Sequence, residues 1–319
     1  QVVWFQRSYM TLGPVPGGVY AEAVRGPVET LNPLYASSSA EQAASRLLFS
    51  SLYDYDASGH LRGDLAANTM VDTTGKEYTV GIRPNAKWHD GEPLTAYDIV
   101  YTVGIMKDPA ARAVGGLRAT WKDINVVALN EKSVKFTLAS VNSAFPQALT
   151  FAVLPQHILK KVQNQSLREN NFSNMPVGSG PFQIKRLQLI NEAEGRKVVH
   201  MSSFEKYHKG APKLGRFQLH VFGSTSKIIT ALRTGEVTAA TDIGKEDLGP
   251  VDMTRYNILA KPLNSGVYAI FNTTQPILKD KKVRQALQIG TDTSLVRKAI
   301  SGDAKELYLP FVAGQIAGT

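Results

Sequence analysis

The sequence predicts an α/β fold, on three observations. Apolar residues occupy every second position at 78–82, a period typical of half-buried β-strands. Thr95 followed by Asp98 is a helix-capping pair, and the apolar residues behind it recur at helical spacing. A short apolar helix at 228–232 ends at Gly235 and leads directly into a strand. Strands and helices mixed in this way along one chain are typical of the α/β class.

Composition restricts the kind of protein. The chain has 319 residues, of which 43% are hydrophobic and 20% charged, so it is long enough for two or more domains and is not predicted to be disordered. It contains no cysteine, which excludes disulfides, thiolate metal sites, a cysteine nucleophile and a lipid-bearing cysteine within this chain. It shows no apolar run long enough to span a membrane. We expect any signal peptide or membrane anchor to lie outside this chain.

The net charge is +9 and is unevenly distributed. Between Lys185 and Arg216 there are eight basic residues against three acidic ones. The favoured interpretation is a solvated face. The alternative is attraction to an anionic lipid surface, a cell-wall polymer or acidic ligands. Nucleic-acid binding is not predicted, because no stacking aromatic residues are interleaved with these charges.

The first part of the chain predicts an extended lead-in over residues 1–23, because its prolines and glycines interrupt any period. Ser39 with Gln42 then forms a second capping pair. The apolar stripe behind this pair consists of Ala43, Leu47, Leu48 and Leu52. We therefore predict a helix here, preceded by a small polar loop at 36–39.

Residues 53–174 are predicted to form antiparallel strands packed by the helix that follows Thr95. The helix presents Ile99, Val103 and Met106 on one face, and Asp108-Pro109 ends it. The glycine-bearing stretch that follows, at 112–121, is predicted to be a flexible loop. Two further strands at 124–128 and 134–138 are joined by a hairpin at 130–133. Trp88 and Trp121 are interpreted as packing residues of this region.

Glycines and caps organise the remainder of the chain. Gly178 and Gly180 allow a backbone path that other residues would resist. Asp280 is predicted to cap a helix. The remaining predicted elements are strands at 198–199, 217–222, through Val237 and at 264–272, and helices at 228–232, 283–287 and 295–300, the last ending at Gly302.

No motif in the chain predicts catalysis. The spacing in His89-Asp90-Gly91-Glu92 suits a turn before Pro93 better than a metal site, and neither HExxH nor CxxC occurs. Gly178-Ser179-Gly180-Pro181 differs from the nucleophile elbow GxSxG, and no phosphate-binding loop GxxxxGK[ST] is present. We therefore predict that the protein is not an enzyme and that it uses no metal or cofactor.

Four segments carry a resemblance to a known family. They are KWHDGEPLTAYDIVYT at 87–102, PVGSGPF at 176–182, FN at 271–272 followed by DKKVRQAL at 280–287, and LNPL at 31–34. Together they resemble the extracytoplasmic solute-binding proteins of peptide and nickel ABC importers, the family that includes dipeptide- and oligopeptide-binding proteins. The resemblance extends over roughly residues 17 to 302, and chance agreement of several ordered motifs is improbable on that scale.

The resemblance implies a periplasmic-binding-protein-like fold of the second class, with two lobes and an inserted subdomain. On this basis the first lobe combines 24–52 with 175–265, and the inserted subdomain is 53–174. The second lobe is 266–319 and is expected to be incomplete, because members of the family run considerably further. The strand at 264–272 would be the crossover between the lobes and would contain the hinge.

The resemblance also implies ligand-binding residues. Ser37, Ser38 and Ser39 lie in a loop that faces the ligand cleft in peptide-binding relatives, although Ser39 also fits plain helix capping. Ser265 and Tyr268 match positions that present groups to a bound peptide, and a buried core role for Tyr268 is an equal alternative. Arg284 is interpreted as structural.

The implied function is capture of short peptides by hinge closure and delivery to the permease of an ABC transporter. We expect a protein of the periplasm or outer cell surface that associates with the membrane through an anchor outside this chain. The alternative is a surface-tethered docking or sensing module with a similar fold and no transported ligand. The lopsided basic segment and the short chain favour this alternative modestly.

Overall fold

The computed structural model describes residues 16–114, 116–259 and 268–300. The chain divides into two compact units, Gln1–Arg255 and Tyr256–Thr319. The helices in the described part of the chain are too short or too polar to span a membrane.

The first unit contains a five-stranded mixed sheet. Its strands are β1 (Gly17–Arg25), β8 (Phe182–Asn191), β9 (Arg196–Ser203), β10 (Leu214–Phe222) and β11 (Ala239–Ala240). Their order across the sheet is β11-β1-β10-β9-β8. β1 runs parallel to β10 and β11, whereas β9 is antiparallel to both of its neighbours.

Two helices pack on this sheet. α1 (Ser39–Leu48) contacts β1, β8 and β10, and α6 (Thr225–Thr234) contacts β1, β10 and β11. Leu219 and Val221 share one continuous core with Ala44 and Leu48 of α1. Side chains alternate between faces along a strand, so His220, which lies between Leu219 and Val221 in β10, faces the other way.

A second, antiparallel sheet lies between β1 and β8 in the chain. Its strands are β4 (Ala66–Val71), β5 (Glu77–Ile82), β6 (Asn125–Asn130) and β7 (Ser133–Thr137), in the order β4-β5-β7-β6. The short strands β2 (Tyr53–Tyr55) and β3 (Leu61–Gly63) pair beside it. The helices of this region are α2 (Ala96–Lys107), α3 (Leu117–Trp121), α4 (Phe145–Ala148) and α5 (Gln156–Leu159). Short 3₁₀ helices occur at Pro33–Tyr35, Pro109–Ala111, Asn164–Ser166, Asn171–Ser173 and Lys245–Leu248.

The predicted cap and core face of α2 are confirmed. The Asp98 carboxylate accepts the Thr95 backbone N–H at 2.8 Å, and its other oxygen accepts the Gln156 N–H at 2.9 Å. The buried residues of α2 include the three predicted apolar positions, Ile99, Val103 and Met106. Trp88 and Trp121 are also fully buried. One carboxylate thus caps the helix and fixes the start of α5.

The turn at His89 is bound to the glycine segment at 178–180. The His89 N–H donates to the Gly178 carbonyl at 2.8 Å, and the Gly178 N–H donates to His89 Nδ1 at 3.1 Å. His89 Nε2 bonds the Gly180 carbonyl at 3.0 Å. Since a carbonyl only accepts, the proton of the neutral ring lies on Nε2. The Gly180 N–H in turn donates to the Leu48 carbonyl at the end of α1.

This junction predicts acid sensitivity. Burial lowers the pKa of His89 from 6.5 to about 4, so the folded state binds the proton less readily than the unfolded state. The stabilisation contributed by neutral His89 is fully present above the pKa of His89 in the unfolded state. It is lost as the pH falls toward the lower pKa of the folded state. We expect His89 to remove about 1.5 kcal/mol of unfolding free energy between about pH 6.5 and about pH 5. Urea unfolding at both pH values measures this change in unfolding free energy. If His89→Gln showed the same change, His89 would not be its cause.

Three predictions for the first unit are wrong. β1 begins at Gly17, inside the predicted lead-in, whose residues 1–15 lie outside the described part of the chain. The stretch 112–121 is not only a loop, because α3 occupies its second half. The strand predicted through Val237 is displaced to Ala239–Ala240, because the Glu236 and Val237 N–H groups donate to the Ala231 carbonyl in the last turn of α6.

The cap of α1 also differs from the prediction. The N-cap residue is Ser38 and its partner is Glu41, one position before the predicted Ser39 and Gln42. Both pairs match the same capping pattern. Glu41 is preferred because its carboxylate oxygens accept four backbone hydrogen bonds at once.

The second unit has three described helices. They are α7 (Pro276–Lys279), α8 (Lys281–Gly290) and α9 (Thr293–Ile300). The predicted cap is confirmed, because the Asp280 carboxylate accepts the Lys282 N–H at 2.7 Å. The crossover strand predicted at 264–272 is absent at its described positions, 268–272, where no described strand offers a hydrogen-bonding neighbour. Residues 264–267 and the predicted helix end at Gly302 lie outside the described part.

Candidate ligand-binding site

The parallel strands of the main sheet define a candidate edge for a ligand. Because β1, β10 and β11 run in the same direction, their carboxyl ends lie on one side of the sheet. Ligands of open α/β sheets bind in the crevice outside such ends. The loops that leave this edge, which we call the carboxyl edge, are 26–38, 223–224 and 241–244.

Glu41 organises the first of these loops. One carboxylate oxygen accepts the backbone N–H groups of Glu29 and Thr30, at 2.9 and 3.2 Å. The other accepts those of Ser37 and Ser38, at 2.9 and 3.1 Å. The residue is only 3% exposed. A single buried side chain therefore ties both ends of the loop to α1.

The ionisation of Glu41 follows from these contacts. Burial by itself raises the pKa of the Glu41 carboxyl, but the four backbone hydrogen bonds outweigh it and leave the pKa below the ordinary value of 4.5. The carboxylate is therefore charged at neutral pH. Its negative charge also lies in the first turn of α1, where it complements the helix dipole.

The three predicted serines have different surroundings. The Ser38 hydroxyl donates to the Pro27 carbonyl at 2.6 Å and accepts the Glu41 N–H at 3.1 Å, so it is engaged in the loop itself. Ser37 and Ser39 are exposed, and the Ser37 hydroxyl makes one long contact with Glu41, at 3.3 Å. Ser37 and Ser39 therefore offer side chains to a ligand at the carboxyl edge more readily than Ser38 does.

A second helix begins at the carboxyl edge. α6 starts after Ser224, whose hydroxyl lies 3.1 Å from that of Ser226. In its first turn, Lys227 forms an ion pair of 2.7 Å with Glu194, a residue in the turn between β8 and β9. This pair holds the β8–β9 turn against the start of α6.

Tyr268 lies in the second unit, beside an open cavity of about 510 Å³. The lining residues are Tyr268, Ala269, Ile270, Phe271, Thr273 and Arg284. Tyr268 is 45% exposed, so it is not a buried core aromatic. The Arg284 guanidinium donates to the carbonyls of Leu278 and Lys279, at 2.8 and 2.9 Å, in agreement with its structural interpretation. Ser265 lies outside the described residues.

The groups that sequence patterns single out for chemistry are used structurally. Ser179 is buried, and its hydroxyl accepts the Ser50 N–H at 3.2 Å. Both ring nitrogens of His89 are bonded to the glycine segment. Within the described ranges, no three histidine or carboxylate side chains cluster as metal ligands do. Glu41 is not among the predicted site residues, and the signal that identifies it is the Ser38-x-x-Glu41 capping pattern.

Comparison with known proteins gives a consistent result. The sequence model described as bacterial extracellular solute-binding proteins, family 5 Middle, matches residues 60–319. The oligopeptide-binding protein AppA of Bacillus subtilis is 29% identical over 307 residues, which are 93% of this chain and 54% of AppA. This chain therefore spans about half the length of the curated relatives that it matches.

Solved structures agree with the sequence matches. The ABC transporter substrate-binding protein CtaP of Listeria monocytogenes superposes with a TM-score of 0.76 at 30% identity, over 90% of this chain and 57% of CtaP. AppA of Bacillus subtilis, solved in complex with a nonapeptide, gives a TM-score of 0.74 at 26% identity, over 94% of this chain and 59% of AppA.

Proposed function

Because this chain belongs to the bacterial extracellular solute-binding proteins of family 5, we propose that it captures short peptides outside the cytoplasm and delivers them to an ABC transporter permease. The periplasmic-binding-protein-like fold predicted from the sequence is confirmed. The observation that carries the peptide assignment is the likeness to AppA, an oligopeptide-binding protein whose structure holds a nonapeptide.

In the first unit, the proposed ligand site is the carboxyl edge. In the second unit, the proposed ligand-binding residues are Ser265 and Tyr268. Ser37 and Ser39 would contact the peptide at the edge, while Ser38 and Glu41 keep the loop in shape. A peptide in extended form binds through its backbone, so affinity depends weakly on its sequence. No bond of the peptide is made or broken in this role. Membrane association would come from an anchor outside this chain.

The proposal predicts peptide-dependent stabilisation of the full chain. A ligand present at 100 times its Kd raises the unfolding free energy by about 2.7 kcal/mol. We expect this gain in calorimetric melts with peptides of two to nine residues, and we expect mass spectrometry to recover the peptide uncut. Stabilisation by none of these peptides would contradict the transport role and favour the docking-module alternative. A shortened peptide would indicate an enzyme.

Variants locate the site within the same experiment. Ser37→Tyr keeps the backbone N–H that Glu41 accepts and puts a ring where the peptide is proposed to lie. We expect the peptide Kd to rise about tenfold or more in Ser37→Tyr, and about fivefold in Tyr268→Ala. Ser58→Tyr is the matched control, because Ser58 is exposed in the turn before β3. Equal affinities in Ser37→Tyr and Ser58→Tyr would remove the edge loop from the site.

A further inference from the structure

We propose that one face of the five-stranded sheet in the first unit is a docking surface for the acidic surface of a partner protein. We call it the donor face, and it consists of two cross-strand rows together with Gln188. The rows are Val19–Arg216–Ser202–Gln183 and Ala21–Gln218–His200–Arg186. This inference is independent of the peptide-binding role.

The rows point away from the main core. Phe217 and Leu219, which alternate with Arg216 and Gln218 along β10, are buried in the core that α1 covers. Successive side chains of a strand point to opposite faces, so the rows lie on the reverse side. There Val19, Arg186 and Arg216 are exposed. The polar residues between them are half-buried.

A hydrogen-bond relay fixes the orientation of Gln218. The buried Arg196 guanidinium donates to His220 Nδ1 at 2.9 Å. Because a guanidinium is only a donor, Nδ1 carries no proton and Nε2 is the protonated nitrogen. His220 Nε2 then donates to the Gln218 side-chain oxygen at 3.1 Å. The Gln218 side-chain oxygen therefore already accepts a hydrogen bond from His220. The Gln218 NH₂ group remains available to donate to an acceptor on a partner protein.

Gln188 has the same orientation. The His200 Nε2 atom lies 2.7 Å from the Gln188 side-chain oxygen, so the ring donates and the Gln188 NH₂ group is available. Burial and the charge of Arg186 lower the pKa of His200, which keeps its ring neutral near pH 7. His200 Nδ1 is then a hydrogen-bond acceptor between Gln218 and Arg186 in the second row. The side-chain amides and guanidiniums around it are donors.

The charge of the face matches this pattern. Neither row contains an acidic residue. No ion pair joins Arg186 or Arg216 to a carboxylate within the described ranges. Strands lie about 5 Å apart and rows about 7 Å apart, so the donors are spaced regularly over this face. Such a set of donors is complementary to carboxylates, which accept hydrogen bonds and carry negative charge.

The balance of charged and neutral donors favours a protein over a membrane. Lipid recognition generally takes clusters of about four to eight basic residues, whereas these rows present two arginines. Neutral amide donors contribute to binding affinity when a closely fitting protein surface excludes water from them. Exposed Val19 and Leu214, 45% and 37% accessible, add apolar area beside Arg216.

The test uses the full chain and fluorescein-labelled deca-glutamate as an acidic polypeptide probe. Anisotropy at low salt would measure binding to the parent, to Arg186→Gln/Arg216→Gln and to Lys160→Gln/Lys161→Gln, which removes two exposed charges from the segment after α5. We expect about tenfold weaker binding in the arginine variant and less than twofold change in the lysine control. We expect about threefold weakening in Gln188→Met, where the net charge is unchanged.

Each other outcome overturns the proposal. If the arginine and lysine variants lost equal affinity for deca-glutamate, the probe would be attracted by net charge and not by a defined surface. No probe binding by a parent with an intact circular dichroism spectrum would remove the surface altogether. Vesicles of phosphatidylglycerol that bind through Arg186 and Arg216, with no binding of deca-glutamate, would assign the face to a membrane instead.

Discussion

Gly178→Ala is expected to destabilise the first unit by about 4 kcal/mol or more. A Cβ atom at this position would overlap the Leu48 carbonyl oxygen and lie 3.1 Å from the His89 ring. The oxygen belongs to the backbone at the end of α1 and cannot rotate away. Gly180 is in the same situation, because its Cβ would lie 2.6 Å from the Leu47 carbonyl oxygen. The glycines at 178 and 180 therefore permit close backbone contact between the segment 176–182 and α1.

Gly104→Ala is the matched control. Gly104 lies within α2, is exposed, and would place its Cβ in open space. Alanine is the better helix former there, so we expect about 0.5–1 kcal/mol of stabilisation. Urea titrations of both variants measure the two effects with opposite signs. A Gly178→Ala protein whose unfolding midpoint equals that of the parent would show that Gly178 does not lie against the Leu48 carbonyl in the folded protein.

Glu41→Gln is expected to cost about 3 kcal/mol of unfolding free energy at pH 7. The substitution keeps the size of the side chain but replaces one acceptor oxygen by an NH₂ donor. Either orientation then opposes that donor to two backbone N–H groups, from Glu29 and Thr30 or from Ser37 and Ser38. We also expect weaker peptide binding, because the loop that carries Ser37 loses its support.

The pH dependence identifies the cause of this loss. The pKa of Glu41 is lowered in the folded state, so its contribution is present above the unfolded value of 4.5 and disappears as the pH falls through the folded value. The difference in unfolding free energy between Glu41→Gln and the parent should therefore become smaller below about pH 4. Glu29→Gln is the control: its side chain is 68% exposed and its pair with Arg168 spans 3.4 Å, so we expect a change within about 0.5 kcal/mol. If this difference in unfolding free energy stayed constant from neutral to acidic pH, the Glu41 carboxylate would not be its cause.

Local signals predicted much of the fold. Thr95 with Asp98 and Asp280 each placed a helix start correctly, because a cap depends on residues within one turn. The 130–133 hairpin was predicted for the same reason. β8 was missed because two register shifts, between Ile184 and Arg186 and between Leu189 and Asn191, break its alternation. β1 was missed because its partners are distant in the chain.

The candidate site was less predictable. Two overlapping capping patterns, at Ser38 and Ser39, are indistinguishable by spacing, and only the four backbone donors around Glu41 select the first. The same contacts decide which serine hydroxyls remain exposed. The roles of Ser37, Ser38, Ser39, Ser265 and Tyr268 in binding stay predictions. The lobe boundaries also stay predictions.

The position of β1 between β10 and β11 has a kinetic consequence. The Ala21 N–H donates to the Thr238 hydroxyl, 217 residues away, so β1 pairs with strands that are synthesised much later than β1 itself. Closing an unstructured loop of that length costs about 5 kcal/mol in chain entropy. Collapse of the region around β4–β7 before β1 pairs with β10 and β11 would shorten the effective loop and lower this entropy cost. We therefore expect that region, whose strands pair with partners close in the chain, to speed assembly of the main sheet.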